Sequence, residues 1–192
     1  MFVSDKKSEL RTILLKKRIS MSDNEWTLKS AAIIENLNKL SEFKSASVIH
    51  TYVSMDERKE VDTHNLILNL LTAEIKVIVP VTDFKSDELK HSELTSYDNL
   101  KLNKWGVLEP SSINSYKGNI NLILVPLLAG DEQFNRLGYG KGYYDRFLKT
   151  TNAKKIGLLF DEFLLNEIPT DDFDEKLDIL ITDKMILRRN NR

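Results

Sequence analysis

At 192 residues, 41% of them hydrophobic and 30% charged, the chain can bury one core but is short for a second independent domain. A formal net charge of −1 argues against a broad electrostatic footprint for nucleic acid. With no cysteine, disulfides and thiolate metal sites are excluded, and His50, His64 and His91 have no zinc-like spacing, so any metal should be held by oxygen. The opening MFVSDKKSEL lacks the apolar run of a signal peptide, and no stretch approaches the length of a membrane span. These features set the expectation of a soluble cytoplasmic protein, taken as a monomer, with neither nucleic acid nor membrane as partner.

In chain order, 5–19 reads as a helix with Leu10, Ile13 and Leu14 as a narrow apolar stripe. Lys7, Arg11 and Arg18 fall together on one flank of it, a basic edge that could equally be a solvated face. Ser22 and Glu25 have capping-box spacing, and Trp26, Ser30, Ile33, Leu37 and Leu40 continue a second helix that covers one face of a sheet. The β-rich stretch 46–54 leads into a polar loop, 55–60, after which Asp62 or Thr63 caps a helix bearing Leu66, Ile67, Leu70 and Leu71. The apolar run 75–80 then completes a βαβ unit, which implies a parallel pair with a right-handed crossover. Ligands in such sheets collect beyond the carboxyl ends of the strands, which places Val53 and Glu60 near a candidate site. A turn at 83–88 and a strand at 89–95 follow. Further strands are expected at 121–126, 155–160 and 177–182, with a last edge strand at 185–187 and a frayed basic tail over 188–192.

The strand at 121–126 should deliver the chain directly into Leu127, Leu128, Ala129 and Gly130 and the glycine-rich segment that carries the chemistry, DEQFNRLGYGKGYYDRFL, residues 131–148. Gly138, Gly140 and Gly142 alternate with Tyr139 and Lys141, so the backbone can take positive φ and approach an anion without a Cβ in the way. Tyr143 to Leu148 read as a first helical turn whose free N–H groups would face a phosphate. Arg136 and Lys141 can add charge-assisted bonds, and Asp145 is placed to hold a hard cation bridging the same oxygens. This is neither a Walker A loop nor the glycine fingerprint of a dinucleotide fold, and a plain glycine turn before an amphipathic helix would give the same spacing.

As a whole, the string RLGYGKGYYDRFL resembles the signature of the 5-formyltetrahydrofolate cyclo-ligase family, also called 5,10-methenyltetrahydrofolate synthetases. Other stretches agree: a KxxxR element at Lys7 to Arg11, EVDT at Glu60 to Thr63, GxxEP at Gly106 to Pro110, and EIP at 167–169 followed by Asp174. The resemblance spans about Lys7 to Asp183 and implies a single three-layer α/β/α Rossmann-like domain with a largely parallel sheet. It implies an ATP- and Mg²⁺-dependent conversion of 5-formyltetrahydrofolate to 5,10-methenyltetrahydrofolate, with ADP and phosphate released. On that basis Lys7, Ser8, Glu9, Leu10 and Arg11, with Arg136, Leu137, Gly138, Tyr139, Gly140, Lys141, Gly142, Tyr143 and Tyr144, are expected at the nucleotide. Val53, Glu60, Trp105 and Glu109, with Tyr139, Lys141 and Tyr143, are expected at the folate, and Glu57 rivals Glu60. Arg136, Lys141 and Tyr143 are the expected catalytic residues. Asp145 and Asp174 are the expected magnesium ligands, with Asp171, Asp172 and Asp178 as neighbouring alternatives to Asp174. The chain departs from the family pattern at Leu89, His91, Phe163 and Phe173. Those departures leave room for a nucleotide-dependent kinase or ligase acting on another metabolite, and a folate- or nucleotide-binding regulator without turnover is an alternative of a different class.

Overall fold

The computed structural model describes residues 3–83, 88–103 and 106–190. A seven-stranded sheet forms the centre, in the order β12-β11-β9-β6-β1-β2-β3. Its strands are β1 (Val48–His50), β2 (Lys76–Asp83), β3 (Glu88–Leu94), β6 (Leu122–Val125), β9 (Lys154–Leu158), β11 (Ile179–Ile181) and β12 (Ile186–Arg188). The five inner strands pair in parallel, and the two edge strands, β3 and β12, are antiparallel to their neighbours. All four residues of β6 are buried, as a central strand covered on both faces requires. The expected β1, helix, β2 unit is present, with α4 (His64–Thr72) as the crossover packed on β2.

Local chemistry explains where these elements begin. The Ser22 hydroxyl accepts the Glu25 N–H at 3.2 Å and starts α2 (Asp23–Lys39), while the Glu25 carboxylate pairs with Lys29 at 2.7 Å. At α4 the N-cap position is Thr63, without a side-chain cap bond, and the preceding Asp62 carboxylate accepts the His64 N–H at 2.8 Å. The Thr63 hydroxyl is turned instead to the Tyr52 carbonyl and the Ser54 N–H. Helix α2 packs on β11, as a covering helix should, and a short helix α3 (Ser41–Lys44) follows it. No helix of the described residues is long and apolar enough to cross a membrane.

Three expectations are corrected. In α1 (Val3–Ile19) the inward residues are Lys7, Leu14 and Arg18, whereas Ile13 is exposed. Leu10 and Leu14 pack on the core as the stripe requires, but Ile13 falls outside it and Lys7 and Arg18 are buried in its place. Strand β6 also does not run straight into the glycine segment. A hairpin of β7 (Ala129–Asp131) and β8 (Arg136–Leu137) intervenes, joined by β10 (Leu164–Leu165) in a separate three-stranded sheet. The buried Asp131 closes that hairpin: its carboxylate accepts the N–H groups of Gln133, Asn135 and Ile168 and the Asn135 side-chain amide, all within 3.0 Å. The outer rim of β3 carries a further backbone segment, with the Glu93 N–H on the Asn114 carbonyl and the Tyr116 N–H on the His91 carbonyl, both at 2.8 Å. A small two-stranded sheet, β4 (Leu100–Leu102) with β5 (Leu108–Pro110), lies between.

The third correction concerns the tail, which is anchored through Arg189 of the described residues. Arg188 belongs to β12 and pairs with Glu42, and Arg189 pairs with Asp178 at 3.1 Å. Arg188 holds the Glu42 carboxyl well down, at about 2. Because the folded value lies below the ordinary 4.5, this pair stabilises above that value and its contribution is lost as pH falls toward 2. Arg188→Ala should therefore cost up to about 1 kcal/mol at neutral pH, and the cost should shrink in acid. Denaturant unfolding of both proteins at several pH values measures it.

Candidate active site

A cavity of about 520 Å³ opens at the carboxyl ends of the inner strands. Tyr52 and Val53 enter it just after β1, Pro126 just after β6, and Pro80 and Thr82 from the far half of β2. The glycine segment forms one wall, from Arg136 through Asp145.

At one end, Glu60 is 3% exposed. One of its carboxylate oxygens accepts the Tyr139 hydroxyl proton, and the other accepts the Met55 N–H at 2.8 Å. Burial pushes its carboxyl above the ordinary range, against the opposing pull of Tyr139 and Arg18. Burial also pushes the Tyr139 hydroxyl far up, reinforced by the Glu60 charge. The buried Arg18 donates to the Arg58 and Leu127 carbonyls at 2.8 and 3.1 Å and to the Tyr139 oxygen at 2.6 Å. Arg58 lies over the Tyr139 ring, 5.3 Å from its centre. From α2, the Trp26 indole N–H holds the Glu60 carbonyl at 2.6 Å. Glu109 also faces the cavity and accepts the Thr82 N–H at 3.0 Å.

The other end is built from charge. Lys7, 5% exposed, lies 2.7 Å from Asp171 and 2.5 Å from Asp174. Arg136, 6% exposed, donates to Asp145 Oδ1 at 2.6 Å, and the Glu175 N–H reaches the same oxygen at 3.2 Å. Arg11 donates to the Gly138 carbonyl at 2.9 Å. Gly140 and Gly142 have φ of +90° and +67°, which L side chains adopt only under strain. A Cβ on Gly140 would lie 3.1 Å from the Arg11 guanidinium carbon. Gly140→Ala should thus lose about 1–2 kcal/mol of stability through backbone strain and disturb Arg11. Chemical denaturation measures the loss.

Helix α5 (Tyr143–Leu148) begins after Gly142, with Tyr143 facing the cavity beside Arg146, whose guanidinium lies 5.3 Å from its ring centre. The Tyr144 hydroxyl and Arg136 Nε are buried without a hydrogen-bond partner among the described residues. Lys141 is exposed at the cavity wall and in no ion pair among them.

Of the residues expected from sequence, the cavity brings together Lys7, Val53, Glu60, Glu109, all positions from Arg136 to Asp145, and Asp174. Arg11 reaches the glycine loop from behind. Ser8 and Glu9 are exposed and Leu10 packs on the core, because only positions three or four apart share the inward face of α1. Trp105 lies outside the described residues. Glu57 is exposed, so of the two loop acids Glu60 is the one facing the cavity. Asp172 is exposed, and Asp178 is spent on the Lys155 N–H and Arg189. Among the departures from the family pattern only Leu89 lines the cavity. His91 stacks on Phe147, Phe163 is core, and Phe173 is exposed. Sequence reading overlooked Arg58, although a cation in a loop beyond a strand's carboxyl end is a signal that could have marked it.

Two carboxylates and a glycine loop facing two buried cations, at the strand ends of a mostly parallel sheet, define an α/β domain with a cavity suited to a phosphorylated ligand. The chain belongs to the 5-formyltetrahydrofolate cyclo-ligase family, whose profile matches residues 3–183. A probable 5-formyltetrahydrofolate cyclo-ligase of Schizosaccharomyces pombe is 31% identical over 97% of this chain and 99% of its own. The structure of Aquifex aeolicus 5,10-methenyltetrahydrofolate synthetase superposes with a TM-score of 0.82 at 34% identity, over 97% of this chain and 94% of that one. That of the Mycoplasma pneumoniae synthetase gives 0.73 at 25% identity, over 92% and 98%.

Proposed function

We propose that this protein converts 5-formyltetrahydrofolate to 5,10-methenyltetrahydrofolate at the expense of ATP, releasing ADP and phosphate. The observation that carries this reading is one cavity with two unlike ends, a buried carboxylate at Glu60 and a glycine loop flanked by Lys7 and Arg136. The names of the relatives support the same substrate.

The chemistry explains the need for both ends. A formamide oxygen is a poor leaving group, so the neighbouring folate nitrogen cannot close the ring until that oxygen is phosphorylated. In-line transfer of the γ-phosphoryl group to the formyl oxygen asks for position and charge neutralisation rather than a protein nucleophile. Arg136, Lys7, Arg11 and Lys141 supply positive charge, the loop around Gly140 and Gly142 supplies N–H donors, and Tyr143 bounds the space between the reacting groups. Glu60 accepts from the donor edge of the aminopterin ring, with Val53 and Glu109 lining the same half of the cavity. The folate nitrogen then attacks the activated carbon, loses its proton, and phosphate departs with its oxygen.

Asp145 and Asp174 fit a hard cation. Their hydrogen bonds use Asp145 Oδ1 and Asp174 Oδ2, which leaves Asp145 Oδ2 and Asp174 Oδ1 without one among the described residues. Magnesium accepts one or two carboxylates with phosphate and water completing its shell, and when bound it supplies charge neutralisation at the transferred phosphate. The test mixes protein, 5-formyltetrahydrofolate, ATP and Mg²⁺ and follows the near-ultraviolet absorbance of the methenyl product. Folded protein that gives no signal would refute the reading.

A further inference from the structure

Close to Glu60, Arg58 faces the cavity with its guanidinium uncommitted. It lines that space with Tyr52, Glu60 and Tyr139 and lies 5.3 Å from the Tyr139 ring centre. Among the described residues its side chain is in no hydrogen bond and no ion pair, so the five N–H donors of its fork remain for a ligand or water. The other donors at this end are spent: the Tyr139 hydroxyl on Glu60, the Tyr52 hydroxyl on the Val61 carbonyl, and Arg18 on three protein oxygens. The backbone that carries Arg58 is held on both flanks. Its own carbonyl takes the Arg18 Nε–H at 2.8 Å, and Asp56 meets His64 Nε2 at 2.9 Å, while His64 Nδ1 meets the Tyr97 hydroxyl at 2.5 Å. Lys59 pairs with Asp23, lies 4.8 Å from the Trp26 ring centre and adopts φ +48°, a conformation that a lysine keeps only where its surroundings enforce it. A clamped turn thus presents a free cation beside a buried carboxylate.

We propose that Arg58 reads the carbonyl oxygen at position 4 of the pterin and so sets the preference of this site for the 4-oxo ring over its 4-amino counterpart. This rests on the folate site proposed above. The pterin edge assigned to Glu60 carries two donors, the ring N–H and the amino group, and the carbonyl lies next to them on the same ring. An ionised carboxylate has only acceptors and cannot serve that oxygen, whereas a guanidinium gives it a charge-assisted bond. Glu60 and Arg58 together match a row of two donors and one acceptor. An amino group in place of the carbonyl sets donor against donor beside a cation, a repulsion that Arg58 imposes. The substrate's glutamate tail also bears carboxylates, but it leaves from the far ring, while Glu60 and Arg58 stand two residues apart on one turn.

Ligand binding tests it without turnover. Equilibrium titration compares 5-formyltetrahydrofolate with its 4-amino-4-deoxy analogue, and the quantity read is the ratio of the two dissociation constants. The wild type should favour the 4-oxo ligand by about tenfold or more. Arg58→Met should bind 5-formyltetrahydrofolate about ten- to a hundredfold more weakly and the analogue no more weakly, so that the ratio falls by the same factor. Bare 5-formyltetrahydropterin, which lacks the aminobenzoylglutamate, should lose that factor too. Equal weakening of both folates makes Arg58 a counter-charge to Glu60 and overturns the proposal, as does weakening of neither. A loss seen with 5-formyltetrahydrofolate and absent with the bare pterin gives Arg58 to the tail carboxylates and also overturns it. In each of these cases the folate site itself stands; if 5-formyltetrahydrofolate does not bind the wild type, that site fails and the role of Arg58 with it. Circular dichroism checks the fold, and should Arg58→Met not fold, Arg58→Gln takes its place, since an amide can turn its carbonyl toward an amino group and should lower the ratio as well.

Discussion

Asp145→Asn should lower kcat for methenyl product by about 10²–10³-fold, the range seen when one pre-organised electrostatic element of a transition state is removed. The substitution keeps the shape and one carbonyl acceptor, so Arg136 and the Glu175 N–H retain a partner at the position of Oδ1. What disappears is the negative charge, and with it the proposed hold on a divalent cation. Binding of 5-formyltetrahydrofolate should change far less, because Glu60, Val53 and Glu109 are untouched. Product absorbance gives kcat, and equilibrium titration of the folate gives affinity. Wild-type turnover in the variant would remove Asp145 from the metal site. Equal losses in turnover and folate affinity would point to collapse of the loop.

The second large effect is at Glu60, where stability and binding should move in opposite directions. Burial holds its carboxyl above the ordinary range, so the folded protein grips the proton more tightly than the unfolded chain does. A raised value in the folded state means that stability is greatest below the ordinary 4.5 and drains away as pH rises through the folded value. At neutral pH the ionised group is a burden on the free protein. Glu60→Gln should raise the thermal midpoint above wild type at neutral pH, and the difference should vanish as pH falls toward 4.5. Arg18 keeps its three oxygen partners in that variant. Folate binding should weaken by about 2 kcal/mol, roughly thirtyfold in Kd, through loss of a charge-assisted hydrogen bond. Glu60→Ala should be less stable than wild type by about 2 kcal/mol, because the Tyr139 hydroxyl and the Met55 N–H lose their acceptor. Thermal unfolding across pH and folate titration together separate the three proteins. A Gln variant that melts below wild type at neutral pH would show that the Glu60 charge supports Arg18 more than burial penalises it.

Local signals were legible in the sequence. The glycine segment is contiguous, the βαβ unit follows from hydrophobic runs and their spacing, and Ser22 and Asp62 announce their helices through side chains within three residues. What stayed hidden depends on chain returning from far away. Lys7 and Asp174 are 167 positions apart, so nothing near either one says that they pair. Asp131 takes one of its hydrogen bonds from the Ile168 N–H, 37 positions further along the chain. Ile13 keeps the apolar period of α1 yet is exposed, because helical periodicity marks a face without fixing how far around the helix the core reaches. The hairpin of β7 and β8 eluded the same approach, since strands of two or three residues are too short to show a period.

The way the central sheet ends bears on how the protein behaves in concentrated solution. One rim, along β3, is already taken up by the backbone around Asn114 and Tyr116. The other is a strand of three residues closing on a charged arginine. Neither offers a neighbouring molecule a long, bare, apolar ladder to extend, so crowding should leave the protein dispersed rather than seed fibrous assemblies.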